Sequence, residues 1–365
     1  MNLEIKSILE KIEENGFEAY VVGGYVRDFL LGIHSVDVDI CTNALPKDII
    51  NIFNIKKETT EYGSINFTYG EYNFDITTYR KESGYENHKP NKVEYINNLI
   101  TDIQRRDFTI NALCMNSAGY IFDYLNGKED LNNHIIRTIG SAKERLKEDP
   151  LRMLRAIRMA ITLDFKLDEE ITDFISNNKD LIKNLSYTRK KEELDKILSS
   201  KNILSGLEVL KKMDLLWALE IDYDKIVEVP DLLGIWAQLS FSPNYPFTKN
   251  NLNIIKRIRG ILNSNEITNY TLFKEGLYIS LVAGEILGYD KTVLNKKYQN
   301  LVIKNNHELK INNNDIMTIL NLKPTFKLKI IHDDLINKVL DKKIKNNYND
   351  LKNYILTNWS DINEQ

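Results

Sequence analysis

The chain has 365 residues, with 49 Lys and Arg against 52 Asp and Glu, for a formal net charge of −3. That length allows two or more domains and a sizeable core. The near-balanced charge excludes a nucleic-acid partner held by bulk charge, so any such surface has to be a segregated basic face. No run of about eighteen apolar residues occurs, so no transmembrane helix is expected. Cys41 and Cys114, with no CxxC spacing, and five scattered histidines suggest neither a disulfide framework nor a zinc site, and fit a reducing cytoplasm.

Residues 3–15 read as an amphipathic helix ending at Gly16, without the apolar centre and small-residue cleavage site of a signal peptide. Strand 19–22, helix 25–31, strand 36–40, helix 47–54 and strands 65–69 and 73–79 follow. Residues 80–92 are polar, contain Gly84 and Pro90, and read as a mobile loop. A strand at 93–96, a helix from about 99 and a short strand at 120–124 come next. Beyond Asp130 helical periodicity carries 141–148, 150–163, 168–177, 189–199 and most of the remainder. The expected fold class is α+β. A small mixed head (1–138) precedes an all-helical neck (139–205) and an all-helical body and tail (206–365).

The most informative segment is Val21-Val22-Gly23-Gly24-Tyr25-Val26-Arg27-Asp28 followed by Asp37-Val38-Asp39. Two adjacent glycines after a buried strand let a backbone approach phosphates closely, because no Cβ intervenes. Asp37 and Asp39, two apart on a strand, leave one face together. Paired carboxylates repel unless a cation lies between them, and hard oxygen ligands beside phosphate suit Mg²⁺. A Gly-Gly turn or a DxD alone is commonplace. The ordered combination reads as a metal-dependent nucleotidyl-transfer site. Asp75, in Phe74-Asp75-Ile76, is a candidate third carboxylate or else a strand-edge residue.

Two further motifs supply charge. In Asp102–Ala112, Arg105 and Arg106 are fixed cations able to grip phosphate, and Asp107 and Asn111 fall four apart on an expected helix face. In Glu148–Ala160, Asp149 and Pro150 look like the start of a helix whose Arg152, Arg155 and Arg158 form an arc. Three clustered arginines call for anions, such as a triphosphate or an RNA backbone. Asp149 beside Arg152 would offer an acceptor next to a donor fork. That pattern matches the amine and adjacent ring nitrogen of C and A and mismatches U and G. Asp149 as a plain helix cap is the competing reading.

These segments, VVGGYVRDFLLG with DVDICT, YGSINFTYGEYNFDITTYR, DIQRRDFTINALCMN and FDYLNGKEDLNNHIIRTIGSAKERLKEDPLRMLRAIRMA, resemble bacterial class II tRNA nucleotidyltransferases. These are the CCA-adding enzymes, relatives of bacterial poly(A) polymerases. The resemblance covers most of residues 19–160; later helices match only in being helical. It implies a polymerase-beta-like head and template-independent addition of C, C and A to tRNA from CTP and ATP. It places Gly23, Gly24 and Arg27 at the nucleotide's phosphates, and Asp37 and Asp39 on two Mg²⁺ ions about 3.5–4 Å apart. Arg106, Asp107 and Asn111 fall at ribose or phosphate, Asp149 and Arg152 at the base, and Arg155 and Arg158 around it. tRNA would lie along body and tail, with Lys190, Lys191, Lys342, Lys343 and Lys345 as candidate RNA contacts. No membrane and no obligate protein partner is called for. The sequence departs from the family at Asn87-His88-Lys89, where an arginine usually precedes the proline, and at Thr188, where a glutamate is usual. An A-only enzyme and an inactive RNA-binding relative remain as alternatives.

Overall fold

The computed structural model describes residues 1–55, 63–86 and 89–360. They fall into two compact units, Met1–Glu220 and Ile221–Gln365.

The first unit is built on a six-stranded mixed sheet of order β3-β4-β2-β1-β7-β8. Its strands are β1 (Ala19–Val22), β2 (Asp37–Thr42), β3 (Ser64–Tyr69), β4 (Tyr72–Thr78), β7 (Cys114–Met115) and β8 (Ile121–Phe122). β2 and β4 run parallel and the other neighbours antiparallel. Alternation does the sorting: Val38, Ile40, Ile65, Phe74 and Ile76 bury one face, while Asp37, Asp39, Asn66, Asn73 and Asp75 take the other. Helices α1 (Leu3–Glu13) and α3 (Pro46–Phe53) flank the sheet, and α2 (Gly24–Leu30) starts directly after Gly23.

The described residues of the expected mobile loop, 80–86 and 89–92, are paired strand. They form a two-stranded ribbon, β5 (Arg80–Glu86) with β6 (Lys89–Tyr95), in which Tyr85 registers with Pro90. Both strands of such a ribbon are edges, so a proline lacking its N–H is tolerated there. Asn87 and His88 lie outside the described residues.

The helix expected through Asp107 and Asn111 also differs. α4 (Leu99–Gln104) stops short, and a single 3₁₀ turn, Thr109–Asn111, carries Asn111. The chain then passes through α5 (Gly127–Asn132), β9 (Ile135–Ile136) and α6 (Ala142–Glu148) to α7 (Leu151–Leu163). β9 pairs in parallel with β10 (Lys166–Leu167). α8 (Glu169–Asn177), α9 (Asp180–Lys183), α10 (Tyr187–Leu198), α11 (Ile203–Lys212) and α12 (Leu216–Leu219) complete the unit. The unit ends after Glu220. Gly206 of α11 sits against Ile161 and Ile197 so closely that an added Cβ would lie 3.0–3.1 Å from them. Tyr187 donates to Glu220 across the same junction (2.7 Å).

The second unit is helical apart from a short ribbon of β11 (Ile221–Asp222) and β12 (Ser240–Phe241). α13 (Leu232–Gln238) carries Trp236, wholly buried among Phe241, Tyr245 and Phe247. α14 (Lys249–Ser264), α15 (Asn269–Ile286) and α16 (Lys291–Gln299) lead to α17 (Asn313–Leu320), α18 (Lys327–Leu340) and α19 (Tyr348–Trp359). Ile316, Ile331, Leu335, Leu351 and Ile355 form the core of the last three. Among the described residues no helix is long and apolar enough to cross a membrane.

Candidate active site

The first unit holds a cavity of about 680 Å³ lined by Gly23, Gly24, Arg27, Asp37, Asp39, Arg106, Asp107, Asn111, Asp149, Arg152, Arg155 and Arg158. The three sequence motifs therefore meet in one place. Arg80, Glu82, Arg105 and Lys196 also line it, giving eight cations against five carboxylates. A lining with that excess favours a polyanion.

Gly23 has φ +79°, and a Cβ there would come within 3.1 Å of Asp39 Oδ2. Both conformation and space thus demand glycine. Asp37 and Asp39 sit side by side on the open face of β2, and Asp39 registers with Asp75 on β4. β4 is an interior strand, so Asp75 is not a strand-edge residue. Its Oδ1 accepts from Ser64 and, at 3.5 Å, from Thr77. Asn73 donates to Asp37 Oδ1 (3.0 Å). Asp39 stays open on the strand's exposed face, yet partial desolvation by the protein beside it raises its carboxyl above the ordinary value; Arg106 opposes this, and Asp75 and Asp37 reinforce it. The hard oxygen donors on this side of the cavity fit a divalent cation such as Mg²⁺.

The opposite wall is basic and already paired. Arg155 donates to Asp107 Oδ2 from Nε and Nη2 (2.8 and 2.6 Å). Arg158 donates to Glu193 (2.6 Å), and Arg152, almost wholly buried, to Glu148 (3.0 Å) and the Arg145 carbonyl (2.9 Å). The arginine arc expected to need an external anion is thus balanced by the protein's own carboxylates. Burial pushes Asp107 up, but Arg155, Asn111 and Arg152 outweigh it and hold the carboxyl below its usual range. Glu193 is lowered in the same way: burial opposes, and Arg158, Lys196 and Arg155 prevail.

Asp107 and Asn111 do meet, Asn111 Nδ2 donating to Asp107 Oδ1 (3.3 Å), through the 3₁₀ turn and not along a helix. Arg27 pairs with Asp28 (2.7 Å) and donates to Asn111 Oδ1 (2.8 Å). Arg106 makes a long contact to Asp102 (3.5 Å), and its buried Nε has no partner among the described residues. Arg106 lines the cavity, and its guanidinium charge there suits a phosphate oxygen.

Asp149 ends α6 and does two things. Its Oδ1 accepts from the Leu151 N–H (3.1 Å), so the cap reading describes half of it. Its Oδ2 accepts from Arg189 of α10 (2.7 Å). Arg189, Glu193, Arg145 and Asp102 hold the site together, and the sequence reading missed them as site residues. Arg189 and Glu193 lie 40 and 35 residues from their partners, and one chain offers no signal linking them. Glu148, four before Arg152 on adjoining helical turns, was findable by spacing.

Two of the proposed RNA contacts need correction. Lys190 is wholly buried, and its Nζ donates to the Lys183 and Ala218 carbonyls at the ends of α9 and α12 (2.8 and 3.0 Å). It satisfies helix C-termini and presents no charge to solvent. Lys191 is mostly buried and pairs with Asp195 (2.5 Å). Lys342, Lys343 and Lys345 are exposed in the second unit, Lys343 beside Asp341.

Domain-family sequence models match along the chain. Residues 19–137 match the Poly A polymerase head domain, 164–222 an RNA and SrmB-binding site of polymerase A, and 240–355 tRNA nucleotidyltransferase domain 2. The CCA-adding enzyme of Ligilactobacillus salivarius is 35% identical over 92% of this chain and 90% of its own length.

The chain belongs to the CCA-adding enzyme family.

The Lactobacillus helveticus CCA-adding enzyme is 41% identical over 65% of this chain and 59% of its own. The crystal structure of the Bacillus stearothermophilus CCA-adding enzyme in complex with CTP superimposes over the whole of both chains, with a TM-score of 0.83 at 25% identity. The family likeness reaches residue 355, well beyond the segment that carried the resemblance in the sequence.

Proposed function

We propose that this protein adds C, C and A to the 3′ end of tRNA, using CTP and ATP and releasing pyrophosphate, in the cytoplasm. One observation carries the reading: the same-face pair Asp37 and Asp39 opens onto the same cavity as Asp149, Arg152 and the arginines of α7. The family membership supports it.

In this reading Gly23, Gly24, Arg27 and Arg106 bind the triphosphate, and Asp107 and Asn111 position ribose or phosphate. Asp149 and Arg152 test the base, flanked by Arg155 and Arg158. Asp37 and Asp39, with Asp75 as the candidate third ligand, would hold two Mg²⁺ ions, which would supply activation of the RNA 3′-hydroxyl and charge stabilisation for the leaving pyrophosphate. Residues 1–138 act as the catalytic head, 139–205 as the base-reading neck and 206–365 as the tRNA-binding part, with Lys342, Lys343 and Lys345 among its phosphate contacts. The chain acts without an obligate protein partner.

The test is product length on a tRNA lacking its 3′ end. CTP alone should add two residues, ATP alone none in register, and both together three. Addition of A alone, with CTP ignored, would make it an A-only enzyme. No incorporation, with tRNA bound, would make it an inactive RNA-binding relative.

A further inference from the structure

Asp37 and Asp39 form a partition with a cavity on each side. The basic one is described above. Across the carboxylates lies a second cleft of about 410 Å³ over β2, β4 and β3. Strand register sets its floor in rows: Thr68, Asn73 and Asp37 lie abreast, and Asn66, Asp75 and Asp39 lie abreast in the next row. No lysine or arginine lines it among the described residues. It is therefore unsuited to a triphosphate, whose charge the other cavity matches. Its open-face side chains are amides, a hydroxyl and carboxylates, which suit a ligand bearing neutral hydroxyl groups.

The hydrogen bonds narrow this further. Asn73 is committed on both sides: its Nδ2 donates to Asp37 Oδ1 (3.0 Å), and its Oδ1 accepts from the Thr68 hydroxyl (3.1 Å). That fixes the Thr68 oxygen with its lone pairs available to accept. Asn66 lies 3.5 Å from Ser64 Oγ, whose single proton goes to Asp75, so the exposed Asn66 amide offers both its donor and its acceptor to a ligand. Both residues are exposed, two apart on one face of β3. A donor and an acceptor so placed, beside the carboxylates, match a sugar hydroxyl, which both accepts and donates.

We propose that this cleft seats the terminal ribose of the RNA acceptor, and that Asn66 and Thr68 read its 2′-hydroxyl. The inference rests on the nucleotidyl-transfer reading. It adds a second substrate subsite to it and assigns the choice of RNA over DNA ends to β3.

The experiment uses two acceptors, a tRNA lacking its 3′ end and the same molecule with a 2′-deoxy terminal nucleotide, each with CTP. The unaltered protein should prefer the ribose end in kcat/KM by roughly five- to twentyfold, the usual worth of one or two hydrogen bonds. Asn66→Ala and Thr68→Val should bring that ratio towards one, with the KM for CTP unchanged. Because the ratio is taken within each protein, partial unfolding of a variant cancels. An unaltered protein indifferent to the 2′-hydroxyl, or variants that keep the full preference, would overturn the subsite. If no protein incorporates CTP, the transfer reading fails instead. Equilibrium binding of the two acceptors to the same three proteins then still decides the subsite, by the same ratio and the same two outcomes.

Discussion

The two walls of the larger cavity handle charge in opposite ways. On the sheet wall Asp37 and Asp39 leave one face of β2 together, and the surrounding protein raises the Asp39 carboxyl, with Asp75 and Asp37 adding to the effect. On the helical wall every arginine of α7 has a carboxylate, and Asp107 and Glu193 are pulled down. The first wall offers paired carboxylate oxygens of the kind that suit a hard cation. The second is pre-assembled, and its arginines are held at fixed angles before any ligand arrives. The strained wall suits chemistry and the satisfied one recognition, since preorganised donors need no rearrangement on binding.

The sharpest break of this contrast is at Asp39. Asp39→Asn should lower kcat by roughly a thousandfold or more, as expected for removing a group that acts on the reacting centre. The same change should raise the melting temperature in metal-free buffer at neutral pH. Asp39 is raised in the folded state, so between the unfolded pKa and the folded one the folded protein binds more protons, and its stability falls as pH rises through that window. The amide removes that slope. Mg²⁺ should raise the melting temperature of the unaltered protein and not that of Asp39→Asn. An Asn variant that turns over normally, or melts lower than the parent, would dissolve the contrast.

The next effect is on base choice. Asp149→Ala should relax discrimination against UTP and GTP by about 1–3 kcal/mol, the cost of an unmatched buried polar group. Arg189→Met should relax it less, because Arg189 only holds Asp149 Oδ2. Measuring kcat/KM for four nucleotides checks both. A destabilised Asp149→Ala that still excludes UTP and GTP leaves Asp149 as a cap for Leu151 alone.

The helical wall should respond in stability with the opposite sign to Asp39. Asp107→Asn should cost about 1.5–3 kcal/mol, the range for a hydrogen bond to a charged group. Asp107 is lowered in the folded state, so its contribution is present above the unfolded carboxylate pKa and disappears as pH falls through the folded one. Denaturant melts from neutral to acid pH should show parent and variant converging at the acid end.

The smallest effect concerns RNA. Neutralising Lys342, Lys343 and Lys345 together should weaken tRNA binding and reduce the slope of log K against log salt by up to about 2–3, one counterion or slightly less per charge. Lys190→Met should leave that slope unchanged, since its ammonium is bound to carbonyls.

What was legible in the sequence follows the range of the forces. Val21–Asp28 and Asp37–Asp39 were readable because strand alternation and glycine geometry act over a few residues. Arg152, Arg155 and Arg158 were readable as a helical arc, but not their partners Asp107 and Glu193, which arrive from distant elements. The 80–92 ribbon was hidden by Gly84 and Pro90, ordinary loop signals that an isolated hairpin tolerates. Lys190 misled because a charged residue in a helix is normally solvated, and only the approach of α9 and α12 gives it carbonyls to bind.

Lys190 also makes the helices around it their own reporter. Amine-reactive reagents acylate only an uncharged amine they can reach. Burial lowers the pKa of Lys190, with Lys183 adding to the effect and Glu220 opposing it, while the surrounding helices shield the nitrogen completely. Acylation at position 190 therefore has to wait for α9, α10 and α12 to part. Its rate, against that of an exposed lysine such as Lys342, measures how often these helices open in an otherwise folded molecule.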